Sequence, residues 1–343
     1  MKTTIFLHVG DSKTGTSYIQ NFFDVNRTKL FLQHSCLYPN FNSKDLIIGR
    51  CHNHHLWYRD TLTTNEKLKQ DVLRLNELIE VNNIEKVILS DESWLLDQKS
   101  ISFFIDFMKN TSDYQIKIIA YLRRMDSWFE SAWKQWGLKV YDTCEEYAKQ
   151  NLIRGHFKGV LNYLEVWEDI IGIENIIVRP YEKQQLPKGL LFDFMNIIGI
   201  DLFAHDFNKT ENTNIASNIG FNRDVIEILH YCRGLFSGVH DNHLFHLFTQ
   251  LLRDKFKNKP FEDYSLLPPK ERLNIIQSNL LYEQQIAKKF MGRSDNKIFY
   301  DPLPNPDDKY EPYSGLTLEK ALPIIIKMID KNNRLITNLR KKI

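Results

Sequence analysis

Short apolar runs at residues 3–9, 86–90, 115–122 and 175–178 are separated by much longer stretches whose apolar residues recur at helical spacing. Apolar runs of that length, bounded by polar residues, fit strands buried on both faces. Connections long enough to hold a helix make neighbouring strands parallel, because antiparallel neighbours can be joined by a tight turn. This alternation commits the first two hundred residues to an α/β fold, a parallel sheet flanked by helices. Helices are expected at 14–32, 65–82, 100–110, 126–139, 157–171 and 187–198. From 201 to 217 the chain turns polar and asparagine-rich, which reads as a connection. Beyond it the spacing predicts helices at 218–232, 242–256, 268–290 and 317–340, with a proline-rich bridge over 300–312. The expected organisation is an α/β core over 1–205 and a mainly helical extension over 206–343 that packs on the core and helps close a cleft. No internal repeat is visible.

Ligands of open parallel sheets lie beyond the carboxyl ends of the strands. The first strand ends in His8-Val9-Gly10-Asp11-Ser12-Lys13-Thr14-Gly15-Thr16-Ser17, and a helical pattern follows at once. A tight turn of small residues at a helix N-terminus presents successive N–H groups to an anion, and Lys13 adds a mobile positive charge. The loop therefore reads as a phosphate cradle, with Lys13, Thr14, Gly15, Thr16 and Ser17 as the binding residues. In the nucleotide-triphosphatase loop the lysine follows the second glycine and a hydroxyl beside it serves magnesium. Here the lysine comes first. Glu92 and Arg123 also fall just past strand ends, so three separate segments converge on one edge of the sheet.

That inverted order resembles the 5′-phosphosulfate loop of the sulfotransferases that use 3′-phosphoadenosine 5′-phosphosulfate (PAPS). A second segment resembles the same family, whose pattern has an arginine at the end of a core strand and a serine eight positions later on the following helix. Arg123 and Ser131 have that separation, and the resemblance assigns them the 3′-phosphate of the donor. Chemically they suit it, an arginine offering a planar fork and a serine a hydroxyl donor. The family's Arg-x-Pro element is Arg123-Arg124-Met125 here, so Arg124 stands as the alternative, with Arg123 favoured on spacing. Segments 175–182, 190–200, 286–293 and 311–317 resemble bacterial members, and through them glycan-modifying relatives. The resemblance implies a PAPS-dependent enzyme that needs no metal, releases 3′-phosphoadenosine 5′-phosphate (PAP), and sulfates a hydroxyl, in all expectation on a bacterial glycan or glycolipid.

An acceptor hydroxyl must lose a proton, and a positioned His or Glu is the usual means. Two segments offer one. Arg50-Cys51-His52-Asn53-His54-His55 resembles a His-containing segment of glycan-modifying relatives, and Ser90-Asp91-Glu92-Ser93 resembles a Ser-x-Glu segment of bacterial members. His54 and Glu92 are accordingly the expected catalytic groups beside Lys13, with His55 and His52 next. Lys13 suits the support of charge building on the leaving oxygen. The rivals are a P-loop nucleotide kinase, disfavoured by the lysine's position and by the lack of an obvious magnesium-holding Asp, and an inactive relative that only binds nucleotide or glycan.

Composition narrows the rest. A chain of 343 residues with 43% hydrophobic content can bury a large core, and a formal charge of +2 gives no polyanion-binding surface, so nucleic acid is not an expected partner. Cys36, Cys51, Cys144 and Cys232 stand far apart, which predicts reduced thiols rather than a zinc site or disulfide framework. His240, His243 and His246 share a helix but no tight ligand face. The first strand begins at once, leaving no room for a signal peptide, and no apolar run approaches the ~20 residues of a membrane helix. A cytoplasmic protein is expected. Trp128, Trp133, Trp136, Phe157 and Trp167 are expected mostly in the core.

Overall fold

The computed structural model describes residues 2–62, 65–111, 114–152, 155–203, 207–208, 221–251 and 264–340. Most of the expected 201–217 connection, and the ends 218–220 and 252–256 of two expected helices, lie outside the described residues.

In chain order the strands are β1 (Thr4–His8), β2 (Cys36–Leu37), β3 (Lys86–Ser90), β4 (Gln115–Leu122) and β5 (Ile176–Pro180). The helices are α1 (Thr16–His34), α2 (His55–Thr61), α3 (Asn65–Asn82), α4 (Gln98–Asn110), α5 (Met125–Gln135), α6 (Cys144–Leu152), α7 (His156–Ile171), α8 (Leu190–Ile197), α9 (Arg223–Tyr231), α10 (His243–Leu251), α11 (Pro269–Met291) and α12 (Leu318–Arg340). By its internal contacts the chain divides into two compact units, the first holding 1–124, 155–217 and 277–302, the second 125–154, 218–276 and 303–343.

The first unit carries the sheet, in the order β2-β3-β1-β4-β5 with every described pair parallel. The fold is the α/β one that the alternation of apolar runs implies. Ile5 and Phe6, Val87 and Ile88, and Ile118 and Ile119 are buried in succession, so these runs lack polar alternation because both faces of the sheet are covered. Thr4 of β1 stands opposite Lys86 of β3 and Gln115 of β4. This register brings the end of β1 level with the end of β3, while β4 runs three residues further, to Leu122. On one face α1 and α8 bury Ile19, Phe22, Phe23, Leu190, Phe194 and Met195 together with Phe6 and Tyr121. A second aromatic group joins Trp57 of α2 with Phe41, stacked at 4.0 Å, and with Phe103 of α4, while Trp94 meets Phe104 edge-on at 4.7 Å.

Several boundaries differ from the sequence reading for local reasons. α1 starts at Thr16, not residue 14, because Lys13 (φ 69°) and Gly15 (φ 81°) both take left-handed conformations. The two-residue β2 and the short α2 and α6 give too few apolar repeats to register as periodic. Asp126 lies inside the first turn of α5, fully buried, and Oδ2 accepts from Arg272 Nε and Nη2 at 3.0 and 2.7 Å.

In the second unit, Glu130 Oε1 of α5 accepts from the N–H groups of Leu266 and Leu267 at 2.9 and 3.1 Å, fixing the turn ahead of α11. α9 and α10 each pack on α12. No helix among the described residues is long and apolar enough to cross a membrane.

Candidate phosphate-loop site

The loop after β1 is held by its neighbours in the sheet. Val9 N–H donates to Ile119 O at 3.1 Å and Asp11 N–H to Tyr121 O at 3.4 Å, so the chain follows β4 before it turns. Gly10 has no room for a side chain, since a Cβ there would lie 2.5 Å from Thr16 Cγ2. Thr14 Oγ1 donates to Asp11 O at 2.5 Å and closes the turn. Gly15 caps α1 with a left-handed backbone, and its missing Cβ would meet Leu190 Cδ2 at 2.5 Å. The N–H groups of Thr14, Gly15, Thr16 and Ser17 have no hydrogen-bond acceptor among the described residues. The first turn of α1 holds no acidic residue. Four successive donors at a helix N-terminus, without a carboxylate in the first turn to satisfy them, form an anion-binding concavity.

Arg123 comes to this loop from the end of β4. Its Nη1 donates to Lys13 O at 2.9 Å, and its guanidinium lies 5.6 Å from the centre of the Tyr181 ring. Arg124 turns elsewhere, with Nη1 donating to Asp301 O at 2.9 Å and Pro302 O at 3.2 Å. Ser131 is half-buried on α5, in the second unit.

The expected proton acceptors take different positions. Glu92 stands at the loop, Oε2 accepting from Thr16 Oγ1 at 2.9 Å. Burial pushes its carboxyl pKa up, opposed by the Thr16 hydroxyl and the Lys13 charge. His54 is buried with both ring nitrogens engaged. Ser90 N–H donates to Nδ1 at 3.0 Å, and Nε2 lies 2.9 Å from Pro39 O. Accepting at one nitrogen and donating at the other suits a neutral ring, and burial holds the pKa down to about 4 despite the two carbonyls that raise it. This geometry makes His54 a clip between the end of β3 and the 39–54 segment.

The next residue is the accessible imidazole. His55 is about half exposed, with Nδ1 3.2 Å from the buried Asp91 Oδ2, and this hydrogen bond raises its pKa. Asp91 is fixed in turn, Oδ1 accepting from Ser93 N and Oγ at 2.7 Å each. Under the loop, the fully buried His8 sets Nδ1 2.8 Å from Ser90 Oγ, which also accepts from Gln20 Nε2 at 3.1 Å. Burial lowers the His8 pKa to about 3. Asp11 and His156, which the sequence reading did not single out, also pair at the loop, and their separation of 145 positions leaves no sequence signal.

Lys13, Thr14, Gly15, Thr16, Ser17, Glu92 and Arg123 therefore meet at the end of β1 within the first unit. A separate cavity of about 420 Å³, lined by Ile176 to Arg179, Ile197, Phe290, Met291 and Arg293, runs along β5 and includes none of them.

No family model matches the chain. An uncharacterized protein of Archaeoglobus fulgidus is 31% identical over 132 residues, 38% of this chain and 35% of that protein, so the match spans about a third of the relative's length. Among solved structures, the sulfotransferase domain of the Synechococcus PCC 7002 olefin synthase aligns over 80% of this chain and 93% of its own, with 12% identity and a TM-score of 0.33.

Proposed function

We propose that this chain is a PAPS-dependent sulfotransferase acting on a hydroxyl, with a carbohydrate of a bacterial glycan or glycolipid as acceptor and the cytoplasm as its site of action. The observation that carries the reading is the loop itself. Four unengaged N–H groups follow a lysine that precedes the glycine, and an arginine from the next strand grips that lysine's carbonyl. The acceptor class rests on the sequence resemblance alone.

In this reading the N–H groups of Thr14 to Ser17 hold the donor's 5′-phosphate, with the Ser17 hydroxyl as a further donor while the Thr16 hydroxyl orients Glu92. Lys13 pairs its ammonium with the oxygen that leaves as the sulfuryl group departs, where negative charge builds. Glu92 takes the proton of the attacking hydroxyl. Its raised pKa brings it closer to neutral pH, where a base works best. His55, oriented by Asp91, is positioned to assist or to bind the acceptor. The sequence resemblance alone gives Arg123 and Ser131 to the 3′-phosphate, and no metal ion is required.

The 3′-phosphate separates this reading from every triphosphate-binding alternative. Titration calorimetry should show PAP binding much more tightly than AMP, without any effect of magnesium. Arg123→Ala and Ser131→Ala should lose PAP affinity, the arginine by roughly 1.5–3 kcal/mol per charge-assisted bond removed, and leave AMP affinity nearly unchanged. Equal affinity for PAP and AMP, or a magnesium-dependent preference for ATP, would overturn the assignment and favour a kinase.

A further inference from the structure

A carboxylate stands inside the loop that the proposed function gives to an anion. Asp11 lies one residue after Gly10 and two before Lys13, with its backbone tied at both ends, N–H to Tyr121 O and carbonyl to Thr14 Oγ1. Its side chain is only 3% exposed, and its negative charge is felt at Glu92. Such a group is chemically similar to the ligand. Its two oxygens can accept the same N–H donors and repel an incoming phosphate over the same short distance. Left unrestrained it would compete with the donor for its own loop.

What restrains it is His156, the first residue of α7, whose Nε2 lies 2.9 Å from Asp11 Oδ2 with its side chain 12% exposed. Both residues belong to the first unit. We infer that His156 is a positioning residue for anion binding, engaging the Asp11 carboxylate so that it neither occupies the loop's donors nor presents an uncompensated charge to the phosphate. This inference rests on the phosphate-loop reading, and it gives α7, which bears none of the loop donors, a direct part in donor affinity.

A double-mutant cycle tests it. His156→Ala should weaken PAP binding about tenfold, the order expected for one charge released near a phosphate at an effective protein dielectric. Asp11→Asn removes the competing charge, so the Asp11→Asn/His156→Ala protein should bind PAP within about twofold of Asp11→Asn alone. His156→Gln, which keeps a donor in reach of the carboxylate, should recover most of the loss. A merely structural support would not behave this way, because removing the carboxylate cannot restore a lost buttress. A double variant as weak as His156→Ala, or a His156→Ala protein that binds like wild type, would overturn the inference. Thermal melts of each variant establish that it is folded, and inorganic pyrophosphate serves as a second probe of the loop. Should wild type fail to prefer PAP over AMP, the sulfotransferase reading falls while the pyrophosphate cycle still decides the role of His156.

Discussion

Replacing Gly15 with alanine places two separable penalties on the loop. At φ 81° a β-carbon crowds the following carbonyl, which costs roughly 1–2 kcal/mol. The same carbon would lie 2.5 Å from Leu190 Cδ2 and 3.4 Å from the Tyr181 ring. Leu190 is 9% exposed within the α1–α8 core and has little space into which to yield, so overpacking adds about 1–3 kcal/mol. The sum, about 2–5 kcal/mol, should appear as a lowered urea midpoint with an unchanged slope. The packing part has its own signature. Leu190→Ala alone destabilises by about 2–5 kcal/mol as a core truncation, but in the double variant it also relieves the clash, so the two effects should sum to less than their separate values by about 1–3 kcal/mol. A Gly15→Ala protein within about 0.5 kcal/mol of wild type, or strict additivity in the double, would refute this account of the loop.

Lys13→Ala and Lys13→Gly should both slow transfer from PAPS by about 10²–10³, but the glycine variant should be the more stable of the two by about 1 kcal/mol, because it relieves the backbone at φ 69°. Near-normal turnover in the folded alanine variant would remove Lys13 from the mechanism. Glu92→Gln should reduce turnover by ~10²–10⁴ at nearly constant PAP affinity; full activity in that variant, with loss in His55→Asn, would move the proton acceptor to His55. His54 and His8 carry folded pKa values of about 4 and about 3 against an ordinary 6.5. Their neutral forms therefore contribute stability that is fully present above pH 6.5 and is lost as pH falls toward 4, where unfolding takes up two protons, a slope approaching about 2.7 kcal/mol per pH unit. Urea midpoints at pH 7, 6 and 5 measure it, and a flat profile would contradict the burial of both rings.

What the sequence made legible was what local pattern controls. The strands of the first unit are continuous apolar runs, and the phosphate loop is a contiguous stretch whose small residues and lysine announce a tight turn at a helix N-terminus, though not the left-handed backbone of Lys13 and Gly15 that delays the helix to Thr16. Arg123 was separable from Arg124 only by spacing, yet the two go to opposite partners, the loop and the Asp301–Pro302 backbone. Tertiary position was the hidden quantity. His54 and His55 are adjacent in sequence, but the turn into α2 buries one against Ser90 and Pro39 and leaves the other open beside Asp91. No residue pattern distinguishes them, because the distinction is made by strands and loops dozens of residues away. The pairing of Asp11 with His156 was unreadable for the same reason.

The place of β1 in the sheet also shapes how the protein must be made. β1 is synthesised first, but its partners arrive about eighty and a hundred and ten residues later, as the registers Thr4 with Lys86 and Thr4 with Gln115 require. Until β3 has emerged, the apolar segment Thr4–His8 has both edges unpaired, and until β4 follows one edge stays open with nothing to complete the phosphate loop behind it. Long-range pairings of this kind are slow to form and leave strand edges open to other chains. The binding loop thus comes last in time although it is near first in sequence, and a nascent or truncated chain ending before residue 122 would carry every loop donor while lacking the neighbours that give the loop its shape.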